Sequence, residues 1–202
     1  MTERKQSPIA ARAVDAATLK AFAHPLRMRM YDHLKDHGAA TASTLARAMG
    51  ESTGQTSYHL RQLAKHGLVE EDPDRGTTRE RWWIAAGFSF TPDTLGDDAG
   101  TRTTLQVVQQ HQLQERMRRL QEWLERSADD DPAWVAVASS NEVTLPMTAD
   151  ELEAMSLAIA EVMREHLDRA RESRGRDGDE GRRTVKLYQY AFPLPPGEAG
   201  PG

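Results

Sequence analysis

The chain predicts an α+β fold: a helical N-terminal half closed by a β-hairpin, then one long helix and a small strand-helix-strand unit. Three observations predict it. Four short apolar stripes at helical spacing, each bounded by a cap or a glycine, fill residues 15–67. Two β-prone runs flank a turn-rich stretch directly after them. A near-heptad run after residue 103 has charged flanks, as in a helix that pairs with another.

Residues 1–12 read as a disordered arm and 13–91 as one domain. The first helix spans about 16–23, with Leu19 and Phe22 on one face. Pro25 stands in the first turn of the next, where proline is best tolerated. Leu26, Met30 and Leu34 follow at i, i+4, i+8 until Gly38 caps the end. Thr41 opens a third helix that buries Leu45, Ala48 and Met49 and stops at Gly50. Ser52 opens a fourth, over 52–66, with Gln55 completing a capping box. That helix buries Thr56, Leu60 and Leu63. The runs 68–71 and 79–85, with turn residues at 72–76, predict a hairpin whose projecting part spans 72–80. Of the adjacent Trp82 and Trp83, opposite strand faces put one in the core and leave the other part-exposed.

Residues 92–100 are a linker by composition. The helix over 101–127 carries Leu105, Val108, Leu113, Met117, Leu120 and Leu124, the expected interface between two copies of the chain. The last unit, 133–195, reads as a strand over 134–145, a helix, a mobile loop over 173–183 and a strand over 185–192. Thr148 and Glu151 form the capping box of that helix, and Leu152, Met155, Ile159 and His166 share one face.

The net charge of −5 divides unevenly. Residues 1–90 hold 13 Lys and Arg against 10 Asp and Glu, net +3, and the other 112 hold 13 against 21, net −8. A local basic surface on an acidic protein is thereby permitted. Cysteine is absent, which excludes disulfides, thiolate metal sites and cysteine nucleophiles. No apolar run approaches the ~18 residues of a membrane helix, and the first residues lack a signal's apolar core. A cytoplasmic protein is expected, with no membrane contact. The chain has no GxSxG, HExxH, P-loop or Gly-rich dinucleotide turn, so neither an enzyme nor a cofactor is expected. His33 and His37 stand at i, i+4 beside Asp32 and Asp36, a spacing that can bind zinc or nickel. Without a third ligand a solvated helix end is the better reading, and no metal is expected.

Reading the major groove requires one rigid helix with a short polar outer face, held at a fixed angle by the helix before it. Residues 41–67 supply this. Opposite the buried set of the fourth helix lie Thr53, Gly54, Ser57, Tyr58 and Arg61, with Gln55 on the flank. In the hairpin, Arg75, Thr77, Thr78 and Arg79 offer two cations and two hydroxyls to phosphates or the minor groove. Three stretches then stand in order with matching gaps: Leu19-Lys20-Ala21-Phe22-Ala23-His24-Pro25-Leu26-Arg27, Ser57-Tyr58-His59-Leu60-Arg61-Gln62-Leu63, and His66-Gly67-Leu68-Val69. They resemble the ArsR/SmtB-type winged helix-turn-helix repressors over residues 15–90.

The resemblance implies a winged helix-turn-helix domain in which Ser57, Tyr58 and Arg61 lie on the recognition helix and the hairpin is the wing. His59 matches a histidine that the resemblance implies is largely a packing residue. It also implies a homodimer that represses by reading an inverted repeat in double-stranded DNA. The cysteine motif of the founding metal sensors is replaced by Thr41-Ala42-Ser43-Thr44-Leu45, and the helix after 103 holds only His111. DNA binding and dimerisation therefore carry over, and metal sensing does not. A small-molecule effector acting through the C-terminal unit is compatible with this reading. The alternative is a winged-helix protein–protein interaction module without DNA binding. Arg75 and Arg79 favour DNA, because a scaffold gains nothing from two cations at a wing tip.

Overall fold

The chain enters the fold through a two-residue strand, β1 (Arg12–Ala13), and turns into α1 (Ala16–Phe22), whose N-cap Asp15 accepts from the Thr18 amide at 2.8 Å. α2 (Pro25–His37) begins with proline in its first turn, and the His24 ring nitrogen accepts from the Leu26 amide. β2 (Ala40–Thr41) runs directly into α3 (Ala42–Met49), capped by the Thr41 hydroxyl. α4 (Thr53–Lys65) follows behind the capping box of Ser52 and Gln55. Gly50, between α3 and α4, sits at φ +73°, a left-handed backbone that a side chain would strain. β3 (Val69–Thr77) and β4 (Glu80–Ala85) form the hairpin, then come β5 (Phe88–Ser89), the single turn α5 (Pro92–Leu95) and the long α6 (Ala99–Arg126). After a short 3-10 turn (Ser127–Asp129) come α7 (Pro132–Val137) and α8 (Ala149–Asp177).

This computed structural model describes residues 12–77, 80–90 and 92–195. The chain divides into two compact units, Ala11–Ala128 and a second built on Asp129–Gly202. Among the described residues no helix is long and apolar enough to cross a membrane.

In the first unit β4 is the central strand, pairing antiparallel with both β2 and β3, while β1 pairs in parallel with β5. Helices α1–α4 bury Leu19, Phe22, Met30, Leu45, Leu60 and Leu63 against Leu68, Val69 and Trp83 of the hairpin. The rings of Phe22, Tyr31 and Phe88 meet pairwise at 4.9 to 5.2 Å between centroids, and the Tyr31 hydroxyl donates to the Ala86 carbonyl at 2.7 Å. Trp83 is buried and Trp82 half-buried, as opposite strand faces require.

Several elements differ from the sequence reading, each for a physical reason. The hairpin does not turn at 72–76. β3 continues through that stretch, with an irregular register between Glu71 and Gly76, and pairs as far as Thr77 with Glu80. It is an edge strand, where Pro73 removes no ladder bond that the sheet needs. The linker at 92–100 holds α5, which buries Leu95, and α6 starts at Ala99 because Asp98 caps it. The strand expected over 134–145 begins as α7, since Asp131 caps a helix with Pro132 in its first turn. Residues 185–192 carry no strand within this chain. The loop expected over 173–183 is helical to Asp177, where Gly178 ends α8 at φ +74°. Ion pairs of Arg164 with Asp168, Arg169 with Glu165 and Arg171 with Asp168 support α8 along its length. Apart from Arg12, the arm read at 1–12 lies outside the described residues.

Thr56 ties α4 to α3. Its hydroxyl is fully buried and donates across to the Ala42 carbonyl at 2.9 Å. Thr56→Val keeps the volume and removes the donor, and should cost about 1 kcal/mol, enough to lower the urea midpoint measurably. An unchanged midpoint by circular dichroism would show that the bond adds nothing to the packing of α4 on α3.

Candidate nucleic-acid interface

α4 separates its residues cleanly because each advances 100° around the axis. Thr56, Leu60 and Leu63 point inward and are fully buried. On the outer side Thr53, Gln55 and Arg61 are exposed, Ser57 is half-buried and Tyr58 is 51% exposed. The face offers hydroxyls, an amide and one guanidinium, with the open step of Gly54 among them. Gln55 is less free than its position suggests, since its carboxamide oxygen is held by the Ser52 cap at 3.1 to 3.4 Å.

Behind this face sits a pair of histidines, His59 buried and His24 half-buried. His59 meets His24 with the rings tilted by 38° and their centroids 4.5 Å apart, and meets Tyr58 edge-on at 5.1 Å. Burial pushes the His59 ring below the ordinary histidine value, and the nearby His24 and Arg27 push it the same way. His24 is lowered for the same reason, burial first and Arg27 second. Arg27 is half-buried and close enough to Tyr58 to interact electrostatically with it. The sequence reading passed over Arg27 as part of a motif. Its place one turn along α2 from His24 was the available signal, because residues three apart share a helix face.

The wing is less basic than its arginines suggest. Arg75 lies over the Trp82 ring at 5.6 Å and 3.9 Å from the Asp72 carboxylate. Arg81 pairs with Glu71 at 3.0 Å. Thr78 and Arg79 lie outside the described residues, as does the side chain of Thr77.

The expected interface residues on α6 divide between two faces. Val108 is fully buried in the core of its own chain, so it is not offered to a partner, and Leu105 packs beside it half-buried. Leu113, Met117, Leu120 and Leu124 are 45 to 63% exposed and fall at i, i+4, i+7, i+11, one stripe along the helix. Polar side chains hold another face of α6 to α2. His111 meets the Asp32 carboxylate at 2.8 Å and Arg119 meets Asp36 at 2.7 Å. Burial raises the Asp32 carboxyl above its usual range, with the His111 contact pulling the other way. The His33 and His37 rings lie 4.5 Å apart, and among the described residues no cluster of three metal-binding side chains forms.

The chain is similar to several known proteins. The helix-turn-helix domain family matches residues 22–72. The HTH-type transcriptional regulator YgaV of Escherichia coli (strain K12) is 35% identical over 74 residues, 37% of this chain and 74% of that protein. A crystal structure described as a possible transcriptional regulator for arsenical resistance is 24% identical with a TM-score of 0.31, covering 56% of this chain and 96% of that one. The homodimeric winged helix-turn-helix DNA-binding domain of Mb0332 from Mycobacterium bovis, described as a possible ArsR-family regulator, is 26% identical with a TM-score of 0.33. The match covers 49% of this chain and 82% of that one.

The histidine pair makes a testable pH dependence. Both native values lie below the ordinary 6.5, so folding favours the neutral rings. Their contribution is complete above about pH 6.5 and is lost as pH falls toward the lowered native values. The urea midpoint should therefore drop between pH 7.5 and 5.5, and drop less in His59→Gln, which takes up no proton. Equal drops in the two proteins would exclude His59 as a cause.

Proposed function

This chain belongs to the helix-turn-helix transcriptional regulators, and we propose that it works as a homodimeric repressor reading an inverted repeat with α4 and the wing at 72–80. The observation that carries this reading is the division of α4 into a fully buried apolar edge and an exposed polar one. A helix clamped this way presents a rigid set of donors and acceptors to base edges. Thr53, Ser57, Tyr58 and Arg61 face the bases, with Gln55 at the flank bracing the helix end. Arg75, Thr77, Thr78 and Arg79 hold phosphates, and contact with DNA draws Arg75 away from Asp72.

The α6 stripe of Leu113, Met117, Leu120 and Leu124 is the seam between copies, because large apolar side chains in heptad order are what a partner helix covers. Two-fold pairing sets two copies of α4 about 34 Å apart, one turn of the duplex, which calls for an inverted repeat. A small-molecule effector would act by changing that spacing. An open polar cleft of about 240 Å³ lies between α2, α3 and α6, lined by Arg29, Asp32, His33, Glu115 and Arg119.

The test is a gel-shift titration on an operator recovered by chromatin pull-down and sequencing. Arg61→Ala should weaken binding by ~1–3 kcal/mol, and unchanged affinity would remove α4 from the interface. Met117→Glu places a charge in the seam and should weaken the dimer in sedimentation. Operator affinity should fall ~100-fold or more as the two heads lose their avidity. An undiminished dimer with full DNA binding would take the seam off α6.

A further inference from the structure

Arg27 has no part in the reading above. It stands in the first turn of α2, half-buried and within electrostatic reach of Tyr58. Its Nε is closed off from solvent and has no hydrogen-bond partner. Among the described residues no carboxylate pairs with it, whereas Arg75 and Arg81 of the wing have Asp72 and Glu71. Glu51 favours the charged form of His59 and still forms no ion pair with Arg27. Burying a cation without a counter-charge costs stability, and burial here lowers the arginine below its ordinary value. A fold that only had to fill this space would use an apolar side chain or set a carboxylate beside the guanidinium.

We propose that Arg27 takes a phosphate of the DNA backbone, beside the bases that α4 reads. This rests on the DNA reading above and adds to it a contact from α2. Position is the first argument. Tyr58 is 51% exposed on the outer face of α4, so Arg27 borders the surface that meets DNA. It does so from the neighbouring helix and half-buried, set back from the exposed Arg61. A helix in the major groove is flanked by walls of phosphate. A group set back from its outer face meets such a wall rather than a base edge.

The shape of the open end is the second. With Nε shut in, the two terminal nitrogens remain to meet a partner from outside. That end of a guanidinium matches two oxygens of one phosphate. The surroundings point the same way. α2 begins at Pro25, so Arg27 lies at the positive end of the helix dipole. The nearby His24 and His59 rings are held below 6.5, chiefly by burial, so at neutral pH they supply packing and no counter-charge.

A salt series of gel shifts tests this, on the operator and on a scrambled duplex of the same length, with urea unfolding of the same samples. Arg27→Gln keeps a polar side chain and removes the charge. Both duplexes should bind more weakly by a similar factor. The plot of log affinity against log salt should lose about one unit of slope for each copy bound. Arg27→Lys keeps the charge and should keep the slope. The urea midpoint of Arg27→Gln should hold or rise, because no internal partner is lost. An unchanged slope in Arg27→Gln, beside normal binding by the native chain, overturns the phosphate contact and leaves the reading by α4 standing. A lowered midpoint makes Arg27 a structural residue, and a loss confined to the operator makes it a base reader; either overturns it as well. Failure of the native chain to bind both duplexes removes the DNA reading itself, and this contact with it.

Discussion

The geometry of the reading head depends on one buried hydroxyl. Thr56 lies in the interior between α3 and α4 and donates to the Ala42 carbonyl at the start of α3. The same hydroxyl lies within reach of the Thr53 and Ser52 carbonyls of its own helix, and the shorter bond to Ala42 adds a directional contact between the two helices. Leu60 and Leu63 alone would tolerate more slippage, because apolar contact is not directional. The left-handed Gly50 and the Ser52–Gln55 box then set the turn and the starting point of α4. The outer face of Thr53, Tyr58 and Arg61 follows from this clamp.

A second constraint governs α6, which carries two kinds of surface. Val108 and Leu105 seat its N-terminal half in the core, and further along His111 and Arg119 hold it to Asp32 and Asp36 of α2. Partly buried ion pairs add little net stability, but they specify orientation, because rotating the helix would strand charges without partners. That orientation leaves Leu113, Met117, Leu120 and Leu124 outward. A fully apolar helix would have buried the same stripe in its own domain. α2 carries Asp32 and Asp36, which hold α6, and begins next to His24, whose ring lies 4.5 Å from that of His59 on α4.

The C-terminal unit follows a different principle. α8 is supported by local ion pairs and capped at both ends, so it forms without a core. Strands have no such local support, because their hydrogen bonds go to another segment. The same stretch of chain therefore holds a complete helix beside strand-like sequences that carry no strand.

The sequence by itself determined α1 to α4, the caps of α3 and α4, the buried set of α4 and the inward turn of one of the two adjacent tryptophans. Each is settled within one or two turns of backbone, by a capping side chain or by the period of an apolar stripe. It determined the family motifs for the same reason, since those motifs are the caps and stripes of this helix set. Only the tertiary structure decided the rest. Val108 reads like Leu113 in a list of apolar positions, and only the docking of α6 on α2 shows that one faces inward and the other outward. Pro73 looks like a turn residue until β3 proves to be an edge strand. The helix at 132–137 was legible in Asp131-Pro132 but was outweighed by the alternation after Trp134. Local signals specify which backbone a segment adopts. Which face is covered, and by what, depends on partners far away in sequence or on another chain, and no window of neighbouring residues contains them.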